Sequence, residues 1–156
     1  MSHRSSEPAT TREQFTSEVR RYNVGITEVS PSEVTAAIEE VIEPPAVGTA
    51  LPWEGIELPK NVGTEPTAAD LDAATTGVTA AELAVADYGS ILLPTDEQGS
   101  EPVSLFNDLH VAVLHTEDIV PDMTAAFEYV GEQARTDRRS GILATGPSAT
   151  ADMGAL

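Results

Sequence analysis

Apolar residues along this chain recur at two spacings, one near 3.6 and one near 2, and the alternation between them predicts helices and strands in turn. Phe15, Val19 and Tyr22 stand at i, i+4 and i+7 and predict a helix over Thr11 to Tyr22, with Thr11 and Gln14 spaced as a capping box. The ten residues before it are small and polar and read as a frayed lead. Gly25 to Val29 alternates and predicts a short strand. Ser30-Pro31-Ser32-Glu33 then offers a cap, a first-turn proline and a box glutamate. They open a helix expected to bury Val34, Ala37, Ile38, Val41 and Ile42, and Pro44-Pro45 ends it.

Ala46 to Leu51 predicts a strand, and Pro52 to Pro66 a Gly/Pro-punctuated connector with a strand near Ile56 to Leu58. Short helices are expected over Ala68 to Ala73 and Thr79 to Val85, and a strand over Gly89 to Leu93. Pro94 to Pro102 reads as an acidic loop. Leu109 to Leu114 is an almost unbroken apolar run of the length of a strand covered on both faces. Val120, Met123, Phe127, Val130 and Ala134 trace one helix face, and Arg135, Arg138 and Arg139 suit the negative end of that helix. Gly141 to Thr145 is the last predicted strand. Strands alternating with helices imply a three-layer α/β sandwich with a mostly parallel sheet.

Charge changes the picture next. The 156 residues carry 26 acidic against 8 basic side chains, a net charge of −18, and Lys60 is the one lysine. This balance argues against nucleic acid as a partner, since phosphate contact needs a basic surface. The acids are scattered between apolar positions, which fits a folded domain with an acidic shell. Few lysines, three Phe and abundant Ala, Val and Thr suit a halophile's cytosol, where concentrated salt screens self-repulsion. The chain has no cysteine, so it supplies no thiolate to zinc or iron–sulfur clusters. No apolar run reaches the roughly 20 residues of a membrane span, and the N-terminus lacks a signal-peptide core, so a cytoplasmic location is expected.

Three blocks stand out: Gly77 to Leu93; Leu105-Phe106-Asn107-Asp108-Leu109-His110-Val111-Ala112-Val113; and Ile142 to Met153, with its Thr145-Gly146-Pro147-Ser148 core. In this order and spacing they resemble the LUD-domain family, the LutC type of lactate utilization protein. The resemblance implies a fold similar to ribose-phosphate isomerases and CoA transferases (NagB/RpiA/CoA transferase-like), with an N-terminal lead and helix over 1–22 and the LUD domain over 23–156. It further implies a non-redox part in oxidising L-lactate to pyruvate beside LutA/LutB-like iron–sulfur partner subunits. The clusters would then sit on those partners, with no cofactor in this chain. LUD proteins continue into a His-Gly-Pro segment and a final apolar strand, whereas this sequence stops at Leu156. The expectation is that the C-terminal strand is missing and that a partner, or another copy in a homo-oligomer, pairs with the exposed edge.

Individual residues carry competing readings. Glu82 is a candidate catalytic base if burial raises its pKa, yet Thr79 and Glu82 also have capping-box spacing. Asp87 lines a cleft or bonds its own turn, and Gly89 and Ser90 follow it as candidate ligand contacts. Gly146, Pro147 and Ser148 come between a strand and a helix start, where backbone N–H groups and the hydroxyl can hold a small carboxylate or phosphorylated ligand, or serve as a helix cap. Asn107 and Asp108 bind ligand or form a turn. His110 and His115 bound the apolar run, and His110, inside a family block, is a ligand candidate as well as a core histidine; no spacing supports a metal site. No Gly-x-Ser-x-Gly, Gly-x-Gly-x-x-Gly or Walker-type motif is present. The leading expectation is therefore a subunit of a lactate-oxidising system. A stand-alone isomerase-like enzyme using Glu82, or a module that binds small anions or regulates, is the alternative.

The charge yields a first expected outcome. Raising KCl from about 0.1 to about 1 M contracts the Debye length from ~10 to ~3 Å, so the thermal midpoint followed by circular dichroism rises with salt; a midpoint that falls or stays level refutes the acidic-shell reading.

Overall fold

The structure, a computed structural model, describes residues 2–94, 103, 108–136 and 141–145. The described residues pack as two units. One comprises those of Met1–Ile26, Ala81–Pro94 and Leu114–Leu156, the other those of Thr27–Ala80 and Thr95–Val113.

The second of these holds a four-stranded parallel sheet in the order β2-β1-β3-β6, built from β1 (Ala46–Gly48), β2 (Val62–Thr64), β3 (Thr76–Ala80) and β6 (Leu109–Val113). Strand alternation sends Ala46 and Val78 to one face, where Ile38 of α2 (Val34–Val41) packs with Ile42, Leu51 and Leu58. Val47 points to the other face and meets Leu71 of α3 (Ala68–Ala73), Ala74 and Val103. Both faces are thus covered, as a parallel sheet requires. The Ser30–Glu33 box forms as expected, around a short 3-10 turn that runs into α2. Thr67 caps α3, accepting from the Asp70 N–H at 3.2 Å. Thr76 joins β3 to the end of α2: its hydroxyl donates to the Glu43 carbonyl and accepts from the Glu43 N–H, both at 2.8 Å.

The first unit holds a sheet in the order β7-β4-β5-β8, made of β4 (Leu83–Val85), β5 (Ser90–Pro94), β7 (Ile119–Val120) and β8 (Gly141–Thr145). Here β4 runs parallel to β7, while β5 is antiparallel to both β4 and β8. Ala84 and Ala86 face Phe15 and Val19 of α1 (Ser2–Arg21). Leu83 and Val85 face Ala126, Met123 and Tyr129 of α4 (Met123–Thr136). A helix–sheet–helix sandwich therefore occurs in each unit, with the parallel sheet that the sequence predicts in one of them.

Several expectations are corrected. Thr79 to Val85 is not a helix: Thr79 ends up in β3 and Leu83 to Val85 form β4. Ala81, Glu82 and Leu83 favour helix intrinsically, but burial of almost the whole run overrides that propensity. The Thr79–Glu82 capping box disappears with the helix. Thr11 lies inside α1 and not at its start, and Gln14 turns outward to donate to Asp87 Oδ1 at 2.9 Å. Gly25 to Val29 and Ile56 to Leu58 form no strands, although Leu58 still joins the core; β2, hidden in the connector, was not foreseen. In α4 the inward residues are Met123, Ala126 and Tyr129, so Phe127 and Val130 face solvent, and Val120 belongs to β7. Val41 of α2 is likewise exposed.

The turn between β4 and β5 depends on Gly89, whose φ of +61° suits glycine and whose Cα lies hard against α1. A Cβ there would stand 2.9 Å from Glu18 Cβ and 3.1 Å from the Val19 nitrogen. Gly89→Ala is accordingly expected to cost about 2 kcal/mol through strain and overpacking, measured by chemical denaturation in molar KCl; an unchanged midpoint would show that α1 does not hold this turn.

Candidate functional site

In open parallel sheets the carboxyl ends of the strands gather ligand contacts. In the second unit that end of β1 and β3, with the adjoining part of β6, carries three polar side chains on one face. The Thr49 N–H continues the β1–β3 ladder by donating to the Val78 carbonyl at 3.0 Å, which sets Thr49 opposite Thr79. On the other side β3 pairs with β6 in the register Gly77↔His110 and Thr79↔Ala112, which places His110 diagonally across from Thr79. Thr79 Oγ1 and His110 Nε2 are 2.7 Å apart. Thr79 is 0% exposed and Thr49 3%, whereas His110 as a residue is half-buried. Desolvation by burial lowers the His110 pKa from 6.5 to about 4, so the ring is neutral at physiological pH.

The other sequence candidates that the structure describes have neighbours of their own. Glu82 lies in the first unit, half-buried, and accepts from the Tyr129 hydroxyl at 3.4 Å. Asp87 is tied to Gln14 of α1, and the close neighbours of Gly89 are Glu18 and Val19. The Ser90 hydroxyl is hydrogen-bonded to that of Thr145 across the β5–β8 pair. His115 Nδ1 accepts from the Glu117 N–H at 3.2 Å and caps the 3-10 turn Thr116–Asp118, where burial raises the Asp118 pKa. Asp108 is exposed, and its N–H donates to the Thr75 carbonyl at 3.0 Å. Asn107, Gly146, Pro147 and Ser148 lie outside the described residues. Among the described residues no group of three His, Asp or Glu side chains is placed to hold a metal ion, and no helix is long and apolar enough to cross a membrane.

Thr49 and Thr79 are the two members of the cluster that sequence reasoning did not identify. Thr79 was visible in its block but assigned to a helix cap; a strand reading of Gly77 to Ala80 would have paired it with His110.

The lowered pKa has a stability consequence. Between pH 6.5 and about 4 the unfolded chain takes up a proton at His110 that the folded chain refuses, so stability falls as pH falls through that window and is fully retained above it. We expect His110→Gln to remove roughly 2 kcal/mol of this pH dependence, read as the difference in denaturation free energy between pH 7 and pH 4.5 relative to wild type; identical slopes would place the imidazole in a wet setting.

Comparison with known proteins bears on the whole of this architecture. A model of the LUD domain matches residues 59–155. Lactate utilization protein C from Deinococcus radiodurans is 30% identical over 149 residues, an alignment covering 90% of this chain and 69% of the relative. The crystal structure of a DUF162 family protein from Deinococcus radiodurans matches with a TM-score of 0.73 and 25% identity, covering 92% of this chain and 91% of that one. With a family model over more than half of its length and a relative matched across most of both chains, this protein belongs to the LUD-domain family.

Proposed function

We propose that the chain is a LutC-like, non-redox subunit of a system that oxidises L-lactate to pyruvate, binding a small carboxylate while iron–sulfur partner subunits carry the electrons. The observation that carries this reading is the 30% identity to lactate utilization protein C over 69% of that protein. The chemistry of the chain supports the division of labour. Iron–sulfur clusters are held mainly by cysteine thiolates, and this sequence has none, so one-electron chemistry is assigned to cysteine-rich partners. Removing two electrons from lactate needs an acceptor, and on this reading the partner subunits supply it. What this subunit supplies is polar groups on a rigid sheet that orient a small acid. The −18 charge suits work in concentrated salt, where an anion can approach an acidic surface.

The test is to purify the tagged protein from its own host in molar KCl and to delete its gene. A brown preparation containing a cysteine-rich iron–sulfur chain, together with lost growth on lactate after deletion, supports the reading. A colourless protein that purifies alone, with normal growth of the deletion strain on lactate, refutes it.

A further inference from the structure

The Thr79–His110 pair contains two mobile protons, one on the hydroxyl and one on the neutral imidazole, and a single hydrogen bond joins the two side chains. Two arrangements are possible. If Nε2–H donates to Thr79 Oγ1, the hydroxyl proton must find another acceptor. Among the described residues Nε2 is the one partner of that hydroxyl, and Thr79 is 0% exposed, so the proton would be buried and unpaired. An unsatisfied buried donor is costly, because it has given up its hydrogen bond to water and gained none in return. If instead Thr79 donates to a bare Nε2, both buried atoms are satisfied and the imidazole proton resides on Nδ1.

We infer that Thr79 fixes His110 as the Nδ1–H tautomer and that this Nδ1–H is a ligand-recognising donor for an oxygen of a small carboxylate. Three observations lead there. Thr79 is fully enclosed while His110 as a residue is half-buried, so His110 is the member of the pair with access to a ligand. Among the described residues nothing hydrogen-bonds Nδ1. A neutral N–H donor selects an acceptor and gives a cation no attraction, which sets the ligand class. Thr79 is thus a positioning residue, acting through the orientation and tautomer of His110. The ligand class rests on the lactate-system reading; the tautomer does not.

The experiment uses the full chain labelled with 15N-histidine in molar KCl, with the His110 signals assigned by their loss in His110→Gln. The expected wild-type spectrum has a protonated Nδ1 and a bare Nε2. Thr79→Val, close in shape but without the hydroxyl, shifts the ring toward a mixture of tautomers, and Thr79→Ser restores the wild-type pattern; circular dichroism shows whether each variant is folded. Titration with L-lactate and with pyruvate moves the Nδ1 signal saturably, and Thr79→Val weakens that binding about tenfold, the value of one hydrogen bond of roughly 1.4 kcal/mol.

A wild-type ring protonated on Nε2 overturns the tautomer. A folded wild-type protein whose Nδ1 signal moves with neither acid overturns the ligand. A strain carrying Thr79→Val that grows on lactate as wild type does, when the deletion strain fails to grow, overturns the site and leaves the subunit role standing.

Discussion

The structure depends on one stretch of chain, Gly77 to Ala86, in which every residue is buried or half-buried and which supplies an internal strand to each of the two sheets. Such burial leaves no water to satisfy the backbone, so each N–H and C=O must find a partner in a ladder. β3 does so between β1 and β6, and β4 between β7 and β5. The ladder continues beyond the strand limits: the Glu82 N–H donates to the Leu92 carbonyl and the Ala86 N–H to the Val120 carbonyl, both at 2.9 Å. A helix over the same residues would satisfy their backbone locally but would leave both sheets without a central strand.

The same burial dictates what the polar side chains do. Thr76, Thr79 and Ser90 are among the most deeply buried polar residues, and each is hydrogen-bonded, to Glu43, to His110 and to Thr145 respectively. In the first and last pairs the partner is backbone or a second hydroxyl, neither of which changes state near neutral pH. In the Thr79 pair the partner is an imidazole with a second nitrogen. That contact is the one in this set whose partner keeps a second functional atom, which is what makes His110 the candidate on which the proposed site rests.

Legibility in the sequence followed how local each cause was. α2 announced itself because its cap, Ser30 to Glu33, is a short-range device, and α3, also expected, proves to be closed by an equally local box, Thr67 to Asp70. β5, β6 and β8 were legible as apolar runs bounded by turn residues or charge. The failures were non-local. Ala81 to Leu83 have helical propensity, and only the partners that bury them make them part of a strand system. β2 is three residues long with Gly63 at its centre, and it exists because Ala46 to Gly48 lie beside it. The outward turn of Phe127 reflects which side of α4 meets Leu83 and Val85, a fact written in β4. The site shows the same division: His110 could be singled out by its place in a family block, whereas Thr49 and Thr79 acquire meaning only through strand register.

On the proposed function, a small anion would be recognised without help from a strong positive field. Of the cations whose side chains the structure describes, Arg12, Arg20 and Arg21 lie on α1 and Lys60 is exposed, and no hydrogen bond joins any of them to Thr79 or His110. Neutral donors avoid the heavy desolvation that a buried cation would require, and their attraction is short-ranged and hydrogen-bonded, hence little affected by salt that screens charges beyond ~3 Å at molar concentration. For a protein as acidic as this one, the proposed tautomer-locked neutral imidazole would be a recognition device that concentrated salt does not disable.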